Sequence, residues 1–540
     1  MTLQSHRALE TPELLNIIFG LLDHQSNVAN VQVCKFWFNV ALDILWRDVY
    51  DVRQLFAILS PLKGVLNRDG GFEYEFKRSP RTSDWKRFEK YASHVRRLVY
   101  YNNPSLKKSV LDELAHTRRQ LEIFPNLQTL NWCSSVNSGT LFMHNSVQKF
   151  VLHIGDRFPS SFEEVVDRMP NLSRLHLDTA VPARIIEEDL TNMLQQLPNI
   201  RKITLPHFYS TARIIEALSR LPLLNTIKSK IDAGYGDSLD TASFKPIMTA
   251  GAFPALHDLS LMTNFDDIAS FVQSPFSPST LTHFRIQSDL VEMPDSIHRL
   301  ASEVSKRFQE LKTLRIESIR DYSFERDYTI EDFADTDCDG HNITLETLKH
   351  LFELRYLTSF EIHHQYPLHI TQQDIETIAF SCPALENLRL CTEPGFCMKS
   401  TLTLAALVPL AQHCTKLKSL GLFMDATIVP TMSPTMPSFT SLYILFVGLS
   451  IIDDETPMVY LSQLIPPECV IDAFDPCGSF LRWDDDLRCI ASGRSWLWDR
   501  VGSLARKLSS VRVQEGLRTR ALERAGEFAG TPGSSKGPGN

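Results

Sequence analysis

The sequence predicts an α/β protein: a small three-helix unit, a long array of strand–turn–helix repeats, and a helical cap at the C-terminal end. Three observations carry this. Apolar residues recur at helical spacing in short runs before residue 50. A short apolar phrase then returns thirteen times between Val95 and Leu442. Between its copies the apolar period changes from that of a strand to that of a helix.

At 540 residues the chain exceeds what one hydrophobic core serves, so several domains or an elongated array are required. Apolar residues make up 43% and charged residues 22%, the balance of a folded protein. The net charge of -9 provides no global basic field, so neither nucleic acid nor membrane is expected as the main partner. Residues 1–7 lack an apolar core of secretory length, and no later run reaches about 18 apolar residues. The strongest run, Leu442 to Ile452, contains Gly448 and Ser450 and reads as a buried strand. Ten cysteines form no C-x-x-C pair, which fits a reducing compartment. The expected location is the cytoplasm, the nucleus or both.

The first unit spans residues 5–50. Thr11-Pro12-Glu13 writes a helix start: an N-cap hydroxyl, a proline where no amide is needed, and an acid at the positive end. Leu14, Ile17, Ile18, Leu21 and Leu22 then follow one helical face. Asp23 to Asn27 breaks the pattern, and Val33, Phe36, Trp37, Val40, Ala41, Ile44 and Leu45 form a second stripe. So small a unit buries little apolar surface, which makes a partner that completes it physically reasonable. The order Pro12-Glu13-Leu14-Leu15, Ile17-Ile18-Phe19, Leu21-Leu22, Val33-Cys34-Lys35, Trp37 and Leu45-Trp46 resembles the F-box of fungal F-box proteins. Common F-boxes begin Leu-Pro-x-Glu, whereas here Pro12 directly precedes Glu13. The resemblance implies docking of the Skp adaptor of a cullin-type ubiquitin ligase through Pro12, Glu13, Leu14, Ile17, Ile18, Leu21, Leu22, Val33, Cys34 and Trp37. A helical cap for the following domain is the plainer alternative.

Residues 51–89 read as a linker and a capping helix, the latter begun by Ser83-Asp84-Trp85. Residues 90–465 carry the repeats. Each phrase has apolar residues at positions 0, 3 and usually 5, as in Met169-Pro170-Asn171-Leu172-Ser173-Arg174-Leu175-His176-Leu177. The anchors are Val95, Leu127, Val147, Leu172, Ile200, Leu224, Leu256, Leu281, Leu311, Leu357, Leu385, Leu417 and Leu442. Their spacing of 20 to 46 residues, with helical stretches such as 211–221, 297–308, 345–354 and 375–380 between them, resembles the irregular leucine-rich-repeat family. The asparagine of that family's pattern occurs only at Asn264, with Asp289 and Asp425 as substitutes. An acidic insertion occupies 318–342; it lacks the alternation of a calcium loop and reads as a solvated loop.

Side chains alternate along a strand, so residues between the apolar positions face away from the core. In mid-array these are Arg285, Gln287, Arg315, Glu317, Glu361, His363, Asn387 and Arg389, a mixed polar surface expected to bind a protein target. Reversing Arg315 and Arg389 to Glu is accordingly expected to abolish target capture with little effect on stability. Residues 466–524 form a cap, with Trp496, Val501, Leu504, Leu508 and Val511 on its apolar side and Arg506, Lys507, Arg512, Arg518, Arg520 and Arg524 on a wet basic side. Residues 525–540 read as a disordered tail.

Catalytic chemistry is not suggested. Gly533 to Gly537 matches G-x-S-x-G but lacks the strand-to-helix elbow that aims such a serine. His363 and His364 point to opposite faces of one strand, and with His369 they form no metal set. Trp483-Asp484 and Trp498-Asp499 match a propeller dipeptide in a helical setting. No phosphate or dinucleotide loop occurs. The expectation is therefore a non-catalytic substrate-recognition subunit of a ubiquitin ligase, without cofactor or metal. The alternative is a repeat scaffold not engaged in ubiquitin transfer.

Overall fold

The computed structural model describes residues 9–66, 71–101, 105–133, 139–155, 161–274, 280–318, 338–395, 399–433, 435–473 and 485–529. The chain divides into two compact units, Met1–Asp258 with Pro275–Pro278, and Leu259–Ser274 with Ser279–Asn540.

The first unit opens with three helices, α1 (Pro12–Gly20), α2 (His24–Asn30) and α3 (Lys35–Leu45). Its strands are β1 (Asp48–Val49), β2 (Leu62–Leu66), β3 (Phe72–Phe76), β4 (Arg97–Tyr101), β5 (Ser105–Leu106), β6 (Thr129–Cys133), β7 (Lys149–Ile154), β8 (Arg174–Thr179), β9 (Lys202–His207) and β10 (Thr226–Tyr235). β1, β4, β6, β7, β8, β9 and β10 lie side by side in that order, all parallel. β2 and β3 form an antiparallel pair to which β5 adds in parallel. The stretch 51–89, read as linker and capping helix, thus needs correcting. It holds α4 (Val52–Phe56), the β2–β3 pair and α5 (Thr82–Ala92). Strands this short, interrupted by Gly64, carry too few residues for a period to register.

Successive repeats are clamped at the strand entrance. The backbone N–H groups of Gln128 and Thr129 both donate to the carbonyl of Arg96, those of Gln148 and Lys149 to Gln128, and those of Ser173 and Arg174 to Gln148. The Pro-Asn element of the phrase has its own role. The Asn126 side-chain amide donates to the Ser93 carbonyl at 2.8 Å, Asn171 to Asn145 at 3.1 Å and Asn199 to Pro170 at 3.4 Å. Each supplies a donor to a carbonyl of the preceding repeat, the Ser93 carbonyl also accepting from the Arg96 guanidinium at 2.7 Å.

The second unit stacks β11 (Asp258–Met262), β12 (His283–Ser288), β13 (Thr313–Ser318), β14 (Ser359–His364), β15 (Asn387–Leu390), β16 (Ser419–Leu422), β17 (Ile444–Phe446) and β18 (Val470–Asp472) in sequence order. Parallel register is unbroken from β12 to β18. All thirteen anchors are buried, none more than 2% exposed. Both units are therefore stacks of leucine-rich-repeat modules. The helices expected between strands are present, as at Ala212–Ser219, Pro294–Arg307, Leu345–Leu348 and Gln372–Ser381. Asn264 caps the helix Phe265–Gln273, accepting from the Asp267 N–H at 2.8 Å. The acidic insertion lies almost wholly within 319–337, outside the described residues.

A helix spanning Asp485–Ala529 closes this unit, so the segment 525–529, read as the start of a disordered tail, is helical. Its buried stripe is Trp498, Val501, Ala505 and Ser509. The Trp498 indole donates to the Ser450 carbonyl at 3.0 Å, and the Ser509 hydroxyl donates to Ile465 at 3.0 Å. The expected stripe is thereby corrected: Trp496 and Val511 are exposed, and Arg500 covers the Trp496 ring at 4.7 Å. Arg512 is not on the wet face either, since it donates to the Ser462 hydroxyl at 2.6 Å. A tryptophan placed two residues later satisfies its N–H in the core, which decides the helix rotation. Trp483-Asp484 and the Gly533–Gly537 motif lie outside the described residues. Among the described residues no helix is long and apolar enough to cross a membrane.

Candidate functional site

Two surfaces carry the residues singled out from the sequence. On the first, α1 starts at Thr11 and Pro12 without a side-chain cap bond, while the Leu15 N–H donates to the Thr11 carbonyl at 3.0 Å. Asp23 caps α2 through the Ser26 N–H at 2.7 Å. Asn27, buried, donates to the Phe19 carbonyl at 2.9 Å and so closes the end of α1 onto α2. The core of this small unit is Leu15, Phe19, Val40 and Ala41, with Val31, Trp37 and Ile44 packed against it. Phe19 and Trp37 meet edge to face at 5.2 Å, and the Trp37 indole donates to Leu9 at 3.3 Å.

That core leaves the helical stripe read from the sequence facing out. Leu14 is 44% exposed, Ile17 63% and Leu21 84%, and Ile18, Leu22, Val33, Cys34, Pro12 and Glu13 are exposed with them. Only Trp37 of the ten implied contact residues is half-buried. Val28, Phe36 and Phe38, which sequence reasoning did not assign to the surface, add to it. Apolar exposure of this extent is characteristic of interaction surfaces.

The second surface lies on β12 to β15, and the structure gathers seven of its eight candidates into two rows, with Asn387 in the row before them beside Ser359. Parallel register places Arg285, Arg315, Glu361 and Arg389 side by side, followed by Gly421 and Phe446. The next row is Gln287, Glu317 and His363. These side chains engage one another. Arg285 binds Glu317 at 2.9 Å, Gln287 donates to Glu317 at 2.6 Å, Arg315 bridges Glu317 and, at 2.8 Å, Glu361, and Asn387 also donates to Glu361. Burial opposes ionisation of Glu361, but His363 and the Arg315 and Arg389 guanidiniums outweigh it and hold the carboxyl at about 2. Glu317, still more buried, is lowered as well, chiefly by Arg315 and Arg285 against its desolvation.

The rows therefore differ from a plain soluble face. Gln287, Glu317 and His363 are buried, while Arg285, Arg315, Glu361, Asn387 and Arg389 reach the surface in part. The expectation that reversing Arg315 and Arg389 leaves stability unchanged is corrected by this network, because Arg315 neutralises the buried Glu317 carboxylate and the half-buried Glu361 carboxylate. Arg389 lies over the Phe446 ring at 3.6 Å, two strands away. Gly421 permits it, since a Cβ there would stand 3.1 Å from the Arg389 Cγ and 2.8 Å from Thr392 Cγ2. Phe446 and Gly421 were not singled out from the sequence; their shared offset from an anchor was the available signal. His364, as expected, points the other way, into the core, with Nε2 at 3.0 Å from the Glu292 carbonyl. Burial lowers it to about 4.

No family model and no curated protein matches the chain. Among solved structures it is similar to the crystal structure of the TLR13–ssRNA13 complex, at 12% identity and a TM-score of 0.32 over 71% of this chain and 53% of that one. It is also similar to the leucine-rich repeat-containing protein LegL7 from Legionella pneumophila, at 14% identity and a TM-score of 0.32 over 71% of this chain and 96% of that one. The chain thus spans about half the length of the TLR13 chain it matches.

Proposed function

We propose that the chain is the substrate-recognition subunit of a Skp-cullin-F-box ubiquitin ligase. The α1–α3 unit docks a Skp-type adaptor, the repeats hold a protein target, and the chain itself performs no chemistry. The observation that carries this reading is the outward stripe Leu14, Ile17, Ile18, Leu21 and Leu22 on a unit whose core is already complete without it. Its position coincides with the residues on which the resemblance to F-boxes rests. The partly exposed Arg285, Arg315, Glu361, Asn387 and Arg389 offer charged and amide groups to a target, with Gln287, Glu317 and His363 fixing their positions from below. The mechanism is proximity: holding a target near the ligase raises the effective concentration of its lysines. Co-purification of adaptor with the full-length chain, lost in the Leu14→Ala/Ile17→Ala variant, is the expected result. A wild-type chain that captures no adaptor leaves the scaffold reading in its place.

A further inference from the structure

Two residues after each of the first six anchors stand Arg97, Thr129, Lys149, Arg174, Lys202 and Thr226, and parallel register brings these six into one row across β4 to β10. At about 4.8 Å between strands the row is about 24 Å long. Lys228 and Lys230 extend it along β10. The same offset in the second unit gives His283, Thr313, Ser359, Asn387, Ser419 and Ile444, so the basic row belongs to the first unit and opposes the chain's overall negative charge.

The cations in the middle of the row are poorly neutralised. Lys228 pairs with Asp258 at 3.1 Å, Asp48 of β1 stands in register beside Arg97 at the other end of the row, and Asp178, further along β8, pairs with His153 at 2.7 Å. Lys149, Arg174 and Lys202 make no ion pair among the described residues. The Arg97 Nε–H is buried without a hydrogen-bond partner. Partial burial pushes the Lys149 ammonium below the usual lysine range, and Arg97, Arg174, Lys202 and Lys230 push it further. Lys202 is lowered likewise by burial and by Lys228, with Asp258 opposing. Like charges held together cost free energy in the isolated protein, and an anion laid along the row relieves that cost.

We propose that this row is a docking site for an extended acidic segment of a partner protein. The adjacent row holds Val99, Asn131, Val151, His176 and Thr204. Val99 is buried, but the half-buried Val151 suits an apolar side chain between acidic ones, and neither row holds a Phe, Tyr or Trp on which nucleic-acid bases would stack, the Tyr50 ring beside the row being faced by the Arg97 guanidinium at 5.5 Å. The inference holds with or without adaptor docking by α1–α3.

The test uses the full-length chain and a fluorescent alternating Glu–Val peptide of roughly eight residues, long enough to span the row. Its Gln–Val analogue and an oligouridine serve as competing probes, and binding is read by anisotropy. The acidic peptide is expected to bind tightest and to weaken as salt rises. Lys149→Gln/Arg174→Gln/Lys202→Gln should weaken it about tenfold or more, with a melting temperature equal to or above that of the native chain, and Arg174→Gln alone about threefold. Equal binding of the Gln–Val analogue, tighter binding of oligouridine, or native affinity in a folded triple variant overturns the proposal.

Discussion

Truncating Leu14 and Ile17 to alanine separates docking by α1 from its structural role. Complete burial of an aliphatic side chain is worth about 1.5–3 kcal/mol. Only the surface still in water is available to a partner, 44% of Leu14 and 63% of Ile17. Scaled by those fractions, the pair contributes about 2 kcal/mol to adaptor docking, or about thirtyfold in Kd. In the free chain the same truncation removes mostly solvated surface, so stability should change by only about 0.5 kcal/mol. Leu15→Ala is the contrasting variant: Leu15 is fully buried, and its loss should cost about 2–5 kcal/mol and unfold the small unit. Calorimetric titration of each full-length variant with purified adaptor, beside thermal melts, distinguishes the two effects. An unchanged Kd for the double variant, or a melt that falls as far as that of Leu15→Ala, refutes the assignment of this stripe as a docking surface.

Arg315→Glu should destabilise the second unit by roughly 3–5 kcal/mol, because it leaves the Glu317 and Glu361 carboxylates facing a third acid; a melting temperature within a degree or so of native would contradict the network. The depressed acids also set a pH dependence. Glu361 in the unfolded chain titrates near about 4.3 and in the folded chain at about 2, so its contribution is present above the first value and lost as pH falls through the second. Thermal melts between these limits should fall with pH, less steeply in Glu361→Gln; parallel slopes exclude Glu361 as a source. Gly448→Ala should cost more than about 2 kcal/mol, since a Cβ would stand 2.2 Å from the Thr392 carbonyl at a φ of +48°, and chemical denaturation measures it.

Thirteen anchors were legible in the sequence because each lies at a fixed offset from a strand whose inward residues are apolar, and a repeated local pattern needs no knowledge of what packs against it. The helices between them were legible for the same reason. What the sequence did not contain in readable form is contact across repeats. Glu317 owes its ionised state to Arg285, 32 residues earlier, and to Arg315 on its own strand, and Arg315 in turn meets Glu361, 46 residues later. Nothing local distinguishes such a buried pair from soluble charge. Helix rotation was hidden likewise. In α1 both Leu14-Ile17-Ile18-Leu21 and Leu15-Phe19 satisfy helical spacing, and only packing against Val40 and Ala41 of α3 selects the second pair for the core. In the C-terminal helix the hydrogen bond from Trp498 to Ser450 selects Trp498 over Trp496. Periodicity establishes that a helix has an apolar side; where apolar residues surround more than one side, the neighbour that offers the most complementary surface and satisfies the buried donors decides which one is covered.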